Sequence, residues 1–189
     1  GGYRYTWDHI TGSNTSTKLG TGANLGKYVC SSTNAVVADP SGCTYTGNLR
    51  SKAPNWLIGL DYRVNDRLLV YGKVSHGYKA GGFNGNSVRP DTRTFEPEYA
   101  TTYEAGFKSD FRLAGIPSRL NASYYYTNYS NIQKAVGDFN PTTQASGAAV
   151  LAASARIQGV EVEATVKPAH WLEIGGNFSY TDAHYKKYQ

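Results

Sequence analysis

Apolar and polar residues alternate along most of the chain beyond residue 52. In residues 53–64, APNWLIGLDYRV, every second residue from Trp56 onward is apolar, and the residues between them include Asp61 and Arg63. Leu57 is the exception to the alternation. A period of two is typical of a β-strand with one apolar and one polar face. The segment is therefore predicted to be a long strand of this kind.

The same alternation recurs in six further segments, and the connections between them alternate in length. The predicted strands are residues 2–10, 53–64, 67–76, 99–111, 119–131, 155–167 and 171–182. The short connections are 65–66, 112–118 and 168–170, and the long ones are 11–52, 77–97 and 134–154. In a meander, all the long connections then leave one edge of the sheet, as the extracellular loops of an outer-membrane barrel do. We predict an all-β fold: an antiparallel up-and-down meander of about seven long strands, forming part of a transmembrane β-barrel.

Strand length and tryptophan placement agree with a membrane position. Each predicted strand has about 10 to 13 residues, long for a soluble sheet and suitable for a tilted crossing of a bilayer. Trp56 and Trp171 lie near strand ends on the apolar face, one beside a long connection and one beside a short one. Two such residues are typical of the two aromatic girdles of a membrane barrel, although tryptophan is also common at strand ends in soluble sandwiches.

Composition narrows the alternatives. The chain has 189 residues, of which 13% are aromatic and 17% charged, and the net charge of +5 is spread along it. No apolar run is long enough for a transmembrane helix, and no signal peptide is visible at the start. The chain is thus expected to be a mature protein or a piece of a larger one. No nucleic-acid partner is expected, because no basic patch is present.

Two cysteines, Cys30 and Cys43, lie in a polar stretch. Without neighbouring histidines they cannot complete a four-ligand zinc site. A disulfide between them is the favoured interpretation and would place this loop in an oxidising compartment. Two unpaired thiols remain the alternative, since spacing alone does not exclude them.

Residues 77–86, GYKAGGFNGN, are glycine-rich and basic but match neither common phosphate-binding pattern, and no helix follows them. They are predicted to begin a long extracellular loop. Aromatic and basic groups of this loop could hold an anionic or chelated ligand. The candidate ligand-binding residues are Tyr78, Lys79, Phe83, Asn84 and Arg89. The alternative is that these side chains only pack or are solvated.

No catalytic site, metal site or cofactor is predicted. Glu161 and Glu163 share one strand face and are close enough for acid–base chemistry in principle. A water-filled barrel interior is, however, ordinarily lined with such charges, which pair across strands. The four histidines are scattered and show no metal-ligand spacing.

Several segments resemble one known family. They are PNWLIGLDY at 54–62, LVYGKVSHGYKAGGFN at 69–84, FEPEYATTYEAGFK at 95–108 and IQGVEVEA at 157–164. Together they are similar to barrel repeats of TonB-dependent outer-membrane receptors. The resemblance implies a 22-stranded barrel filled by an N-terminal plug. It also implies import of siderophores, haem, cobalamin or glycans with energy relayed from the inner membrane.

With about seven strands and no plug, the chain resembles a middle or C-terminal portion of such a barrel. The resemblance implies a part of an active-transport receptor in the outer membrane of a Gram-negative bacterium, importing an iron–siderophore complex or a similarly scarce nutrient. Its expected partners are outer-membrane lipid, the nutrient ligand and, through the N-terminal part, the TonB complex. Two other classes stay open: a passive porin or adhesin-like barrel, and a soluble secreted β-sandwich that binds carbohydrate.

Overall fold

The alternating segments form one long antiparallel sheet. The structure, a computed structural model, describes residues 1–188, with the side chains of residues 151, 152, 187 and 188 outside the description. The strands in chain order are β1 (Gly2–Thr15), β2 (Thr17–Leu19), β3 (Tyr28–Cys30), β4 (Val36–Val37), β5 (Thr44–Asn65), β6 (Leu68–Lys79), β7 (Gly82–Phe83), β8 (Thr94–Phe95), β9 (Glu98–Leu113), β10 (Ile116–Asn140), β11 (Ala145–Ala169) and β12 (Leu172–Tyr188). Single 3₁₀ turns occur at Gly22–Asn24, Pro40–Cys43 and Pro90–Thr92.

The main sheet has the strand order β1-β5-β6-β9-β10-β11-β12, so that each long strand pairs with the next long strand along the chain. All of these pairings are antiparallel. The short strands form two small sheets, β2-β3-β4 and β7-β8, within the long connections. The predicted fold class is confirmed: an antiparallel meander with seven long strands. Within the described residues the sheet is open, with β1 and β12 at its edges.

Several predicted strand ends are wrong because the strands run further towards the long connections. β10 and β11 continue through most of the predicted loop 134–154 and leave only residues 141–144 as a turn. The predicted loop 11–52 shortens to 16–43 because β1 and β5 stay paired as far as Thr15 and Thr44. These extensions are rich in Gly, Ala, Ser, Thr and Asn. Outside a membrane neither face of a strand pair has to be apolar, so backbone pairing continues without an alternating signal.

The short connections lie at the opposite edge, as predicted. The turn predicted at 65–66 lies one residue later, at Asp66-Arg67, because Asn65 still belongs to β5. The other two connections are tighter than expected. In the predicted connection 112–118 the turn itself is Ala114-Gly115, and both residues have positive φ, of 50° and 86°. Glycine adopts this left-handed conformation without steric cost. The predicted turn 168–170 likewise narrows, since β11 reaches Ala169 and β12 begins at Leu172.

The main sheet has two chemically different faces, called here the apolar face and the polar face. The apolar face carries large exposed side chains, among them Leu60, which is 80% exposed. The polar face carries ion pairs such as Lys73–Glu104, with 2.8 Å between Nζ and Oε2. The buried residues are mainly small ones, such as Ala53 and Ala149, and lie towards the long-loop end. A single sheet with this division differs from a two-sheet sandwich and is typical of a barrel wall.

On the apolar face of β5, the residues from Pro54 to Val64 are all uncharged. This band is roughly eleven residues long, the length with which a tilted strand crosses the hydrocarbon core. The paired stretches of β6, β9 and β10 are also free of Asp, Glu, Lys and Arg on that face, within the part of the chain that the structure describes. The band therefore fixes the level of the membrane on the sheet.

Candidate ligand cleft at the long-loop end

Loop 80–97, which connects β6 to β9, folds back across the polar face of the sheet. At one end the Phe83 ring lies against Gly12 and Gly47, which pair across β1 and β5. A Cβ atom at Gly47 would collide with the ring, and one at Gly12 would make a tight contact with it at 3.0 Å. Three residues further along the loop, the Asn86 carbonyl accepts a hydrogen bond of 3.1 Å from the Ala148 amide in β11. The loop thus bridges two parts of the sheet that are distant in strand order.

Asp138 in β10 fixes the middle of this loop. Its side chain is 3% exposed and forms an ion pair with Arg89, at 3.0 Å between Oδ1 and Nε. Its other carboxylate oxygen, Oδ2, accepts hydrogen bonds from the Val88 amide at 3.0 Å and from the Thr92 hydroxyl at 2.8 Å. The Ser87 hydroxyl donates to the same oxygen at 3.3 Å. One carboxylate therefore collects three hydrogen bonds and a cation from a single loop.

The same contacts set the protonation of Asp138, which lies about ten residues beyond the membrane band along β10. Burial by itself raises the pKa of this carboxyl. The hydrogen bonds from Val88, Thr92 and Ser87, together with the Arg89 charge, outweigh burial, so its pKa lies below the ordinary value for an aspartate. The carboxylate form is therefore the one that holds the loop.

Side-chain amides attach the long connections to backbone groups rather than to other side chains. The Asn84 amide nitrogen donates to the Thr92 carbonyl at 2.6 Å, and its oxygen accepts from the Val150 amide at 2.9 Å. Asn14 donates to the Gly85 carbonyl, and Asn34 donates to the Thr143 carbonyl at the tip of the β10–β11 hairpin. These contacts join both long connections and the hairpin into one roof over the polar face.

The disulfide loop, residues 16–43, forms the remaining side of this roof. The structure joins Cys30 to Cys43 by a disulfide, with 5.1 Å between the Cα atoms. Asp39 begins the adjoining 3₁₀ turn, and its carboxylate accepts a hydrogen bond of 2.8 Å from the Ser41 amide. A hydrogen bond from the Ser41 side chain, together with this bond from its amide, lowers the pKa of Asp39. The loop is therefore held internally, and Asn34 connects it to the hairpin tip by a hydrogen bond.

A cleft of about 600 Å³ lies between β1, loop 80–97 and β11. Most of its lining is neutral and polar, including Asn14, Ser31 and Ser87, and Arg93 is its charged residue within the described chain. The Arg93 guanidinium lies 4.7 Å from the centre of the Tyr45 ring, and the Phe83 ring meets Tyr45 edge-on at 6.3 Å. The cleft thus offers a cation, aromatic surface and several hydroxyl and amide groups. Such a set suits a polar ligand with one anionic group.

Of the five predicted ligand-binding residues, Phe83 and Asn84 line this cleft, whereas Tyr78, Lys79 and Arg89 lie outside it. These three make internal contacts. The Tyr78 hydroxyl donates to Asp8 at 3.0 Å, Lys79 pairs with Glu98 at 3.1 Å, and Arg89 pairs with Asp138. Ligand contact by any of the five stays a prediction.

Tyr45 and Arg93 are cleft residues that the sequence did not indicate. Arg93 lies in the connection that supplied the other candidates, and its charge was a usable signal. Tyr45 lies within the predicted loop 11–52, and only its pairing with Asn14 across the extended strands brings it to the cleft. Among the residues that the structure describes, no group of three His, Cys, Asp or Glu side chains is placed to hold a metal ion. No helix in the described chain is long and apolar enough to cross a membrane.

Comparison with known proteins agrees with the wall-like sheet. The model of the family "TonB dependent receptor-like, beta-barrel" matches residues 1–189. The chain belongs to this family. The family is one of transporters and receptors rather than of enzymes, and it places the chain in the outer membrane of a Gram-negative bacterium. The soluble sandwich is thereby excluded, and the predicted resemblance is confirmed.

A solved structure of a TonB-dependent receptor has a similar fold. The chain of the copper transporter OprC superposes with a TM-score of 0.56 at 13% sequence identity. The match covers 96% of this chain and 27% of that one. The sequence described here thus spans about a quarter of the length of the receptor it matches.

Proposed function

We propose that this chain forms part of the wall and outer vestibule of a receptor that takes up a scarce nutrient with energy supplied by the TonB complex. The cleft beneath loop 80–97 is the place where the ligand is first held. The observation that carries this proposal is the position of the cleft: it lies at the long-loop end, on the polar face, above the uncharged membrane band. In a closed barrel of this family, that position is the outer mouth of the lumen.

The ligand proposed is an iron–siderophore complex or a chelate of similar chemistry. Such a ligand is polar and often anionic, and the cleft supplies Arg93 for charge and Tyr45 and Phe83 for flat apolar surface. An arginine paired with an aromatic ring can contact a planar anionic group with both its donors and its face. A copper ion, which OprC transports according to its name, is the second candidate cargo.

Ligand binding to the full-length receptor tests the proposal. With Arg93→Gln we expect the affinity for a ferric siderophore to fall about 10- to 100-fold, the value of one charge-assisted contact in a partly enclosed site. Arg67→Gln is the matched control, because Arg67 is exposed in the short turn between β5 and β6, at the opposite edge of the sheet. Uptake of the labelled chelate should also require TonB. Equal affinity in wild type and Arg93→Gln, or binding of Cu²⁺ but of no ferric chelate, would exclude the proposed ligand.

A further inference from the structure

The apolar face of β5 changes character at one level. From Trp56 towards the short turns, this face carries no charged residue. In the other direction, towards the long loops, the first two charged residues on the same face are Lys52 and Arg50. The β1–β5 ladder runs through this stretch without a register shift, so both cations share the face of Trp56. Both are exposed, while the intervening Ser51 is buried against the other face. Lys52 and Arg50 therefore point away from the cleft and towards the membrane side.

The surroundings of these cations are aromatic and free of acidic groups. Trp7 lies directly across from Lys52 and is 73% exposed, and His9 lies across from Arg50. The His9 ring is hydrogen-bonded to Asn48 at 3.0 Å. On this face of β1 and β5, within the described residues, there is no Asp or Glu, and neither cation has an ion-pair partner. Their charges are thus available to a group outside the chain.

The position along the strand indicates what that group is. Lys52 and Arg50 come immediately after the band that fits the hydrocarbon core, at the depth of the lipid head groups. Tryptophan prefers this interface, and the stems of lysine and arginine can lie along apolar surface with the charge in the polar layer. Residues two apart on a strand are separated by roughly 7 Å. Two cations at that spacing can contact one phosphate group from two sides.

The geometry points to a lipid-phosphate site on the outer surface of the wall, formed by Lys52 and Arg50, with Trp7 against the first carbons of the acyl chain. The ligand is an anionic lipid of the outer leaflet, bound through its phosphate. This site is on the opposite face of the sheet from the ligand cleft and does not depend on the nutrient carried. It would fix the height of β1 and β5 in the membrane.

Lipid titration of the full-length receptor in a neutral detergent, followed by native mass spectrometry, tests this site. The probes are phosphatidylglycerol, which is anionic, and phosphatidylcholine, which is not. Each cation near an anionic lipid surface contributes roughly fivefold in affinity, so Arg50→Gln with Lys52→Gln should weaken one phosphatidylglycerol-binding step about 30-fold. Arg50→Lys with Lys52→Arg should keep that step.

The matched control, Arg63→Gln with Lys108→Gln, removes one arginine and one lysine from the polar face instead. It should leave phosphatidylglycerol binding unchanged. A loss of similar size in the control, no loss in the Arg50 and Lys52 double variant, or equal binding of both lipids would overturn the proposal. If the double variant does not fold, Lys52→Cys treated with bromoethylamine provides a second measurement. The modification restores a cation at this position, and the affinity for phosphatidylglycerol must rise with it; an unchanged affinity also overturns the proposal.

Discussion

The Asp138 contacts lead to a quantitative prediction for Asp138→Asn. An amide has a single acceptor oxygen, so it can face either the three donors from Ser87, Val88 and Thr92 or the Arg89 cation, but not both. Hydrogen bonds to a charged group contribute about 1.5–3 kcal/mol each. Loss of the ion pair with Arg89, whose side chain is 37% exposed, adds a smaller cost because water screens that charge. We expect loop 80–97 to lose about 2–4 kcal/mol of local stability, which corresponds to roughly 30- to 1000-fold faster opening.

Amide hydrogen exchange of the full-length receptor measures this opening in peptides from loop 80–97. Asp91→Asn is the matched control, because Asp91 pairs with the same arginine at 3.5 Å but is 71% exposed. An exposed pair of this kind contributes at most about 1 kcal/mol. If Asp138→Asn leaves the exchange of the loop unchanged, or if Asp91→Asn accelerates it equally, the reasoning about the buried carboxylate is wrong.

The same carboxylate determines whether the stability of loop 80–97 rises or falls with pH. Because folding lowers the pKa of Asp138, its stabilising effect is fully present above the unfolded value of about 3.9 and is lost as the pH falls through the lower folded value. Loop 80–97 of the wild type should therefore become accessible to pepsin only below about pH 4. Asp138→Asn should lack this step, and an identical pH profile in both proteins would contradict the assignment.

Three further predictions concern the wall and the roof. Leu60→Arg puts a charge near the middle of the membrane band and should destabilise the folded receptor in liposomes by about 2–4 kcal/mol; urea titration should show almost no change for the control Asp61→Asn on the polar face. Gly47→Val should push the Phe83 ring away and cost about 1–3 kcal/mol of loop stability. Hydrogen exchange should show this cost largely removed when Phe83→Ala is added, and additive losses would refute the contact. A thiol count under denaturing, non-reducing conditions should find no free thiol from this pair, and Cys30→Ser should destabilise the disulfide loop by about 3 kcal/mol; two free thiols would contradict the disulfide.

The sheet could be predicted from the sequence because a membrane wall makes strict demands on residue order. Each crossing strand must be apolar on one face, so the period of two is visible in β5, β9 and β12 without other information. The tight turns likewise carry their own residues, such as the Asn65-Asp66 pair. These local signals were enough to predict the fold class, the number of long strands and the fact that all long connections lie at one edge of the sheet.

The cleft could not be predicted in the same way, since it depends on contacts distant in sequence. In the sequence, Asp138 is not distinguishable from the other polar residues of an Ala-rich stretch. Its role depends on its contacts with loop 80–97, which the sequence does not show. Tyr45 becomes a cleft residue only because β1 and β5 stay paired beyond the membrane, where alternation no longer marks a strand. Three of the five candidate residues, Tyr78, Lys79 and Arg89, were chosen by chemical type, and the structure shows that they pair within the chain.

The roof over the polar face is held largely through main-chain groups. Asn14, Asn34 and Asn84 donate to the carbonyls of Gly85, Thr143 and Thr92, and these carbonyls are present whatever side chain the residue carries. Substitutions at the contacted positions can therefore accumulate without releasing the loops, provided that the backbone keeps its course. An outer surface built this way can change its exposed side chains rapidly during evolution. The outer opening of the receptor then keeps its backbone shape while the side chains that line it change.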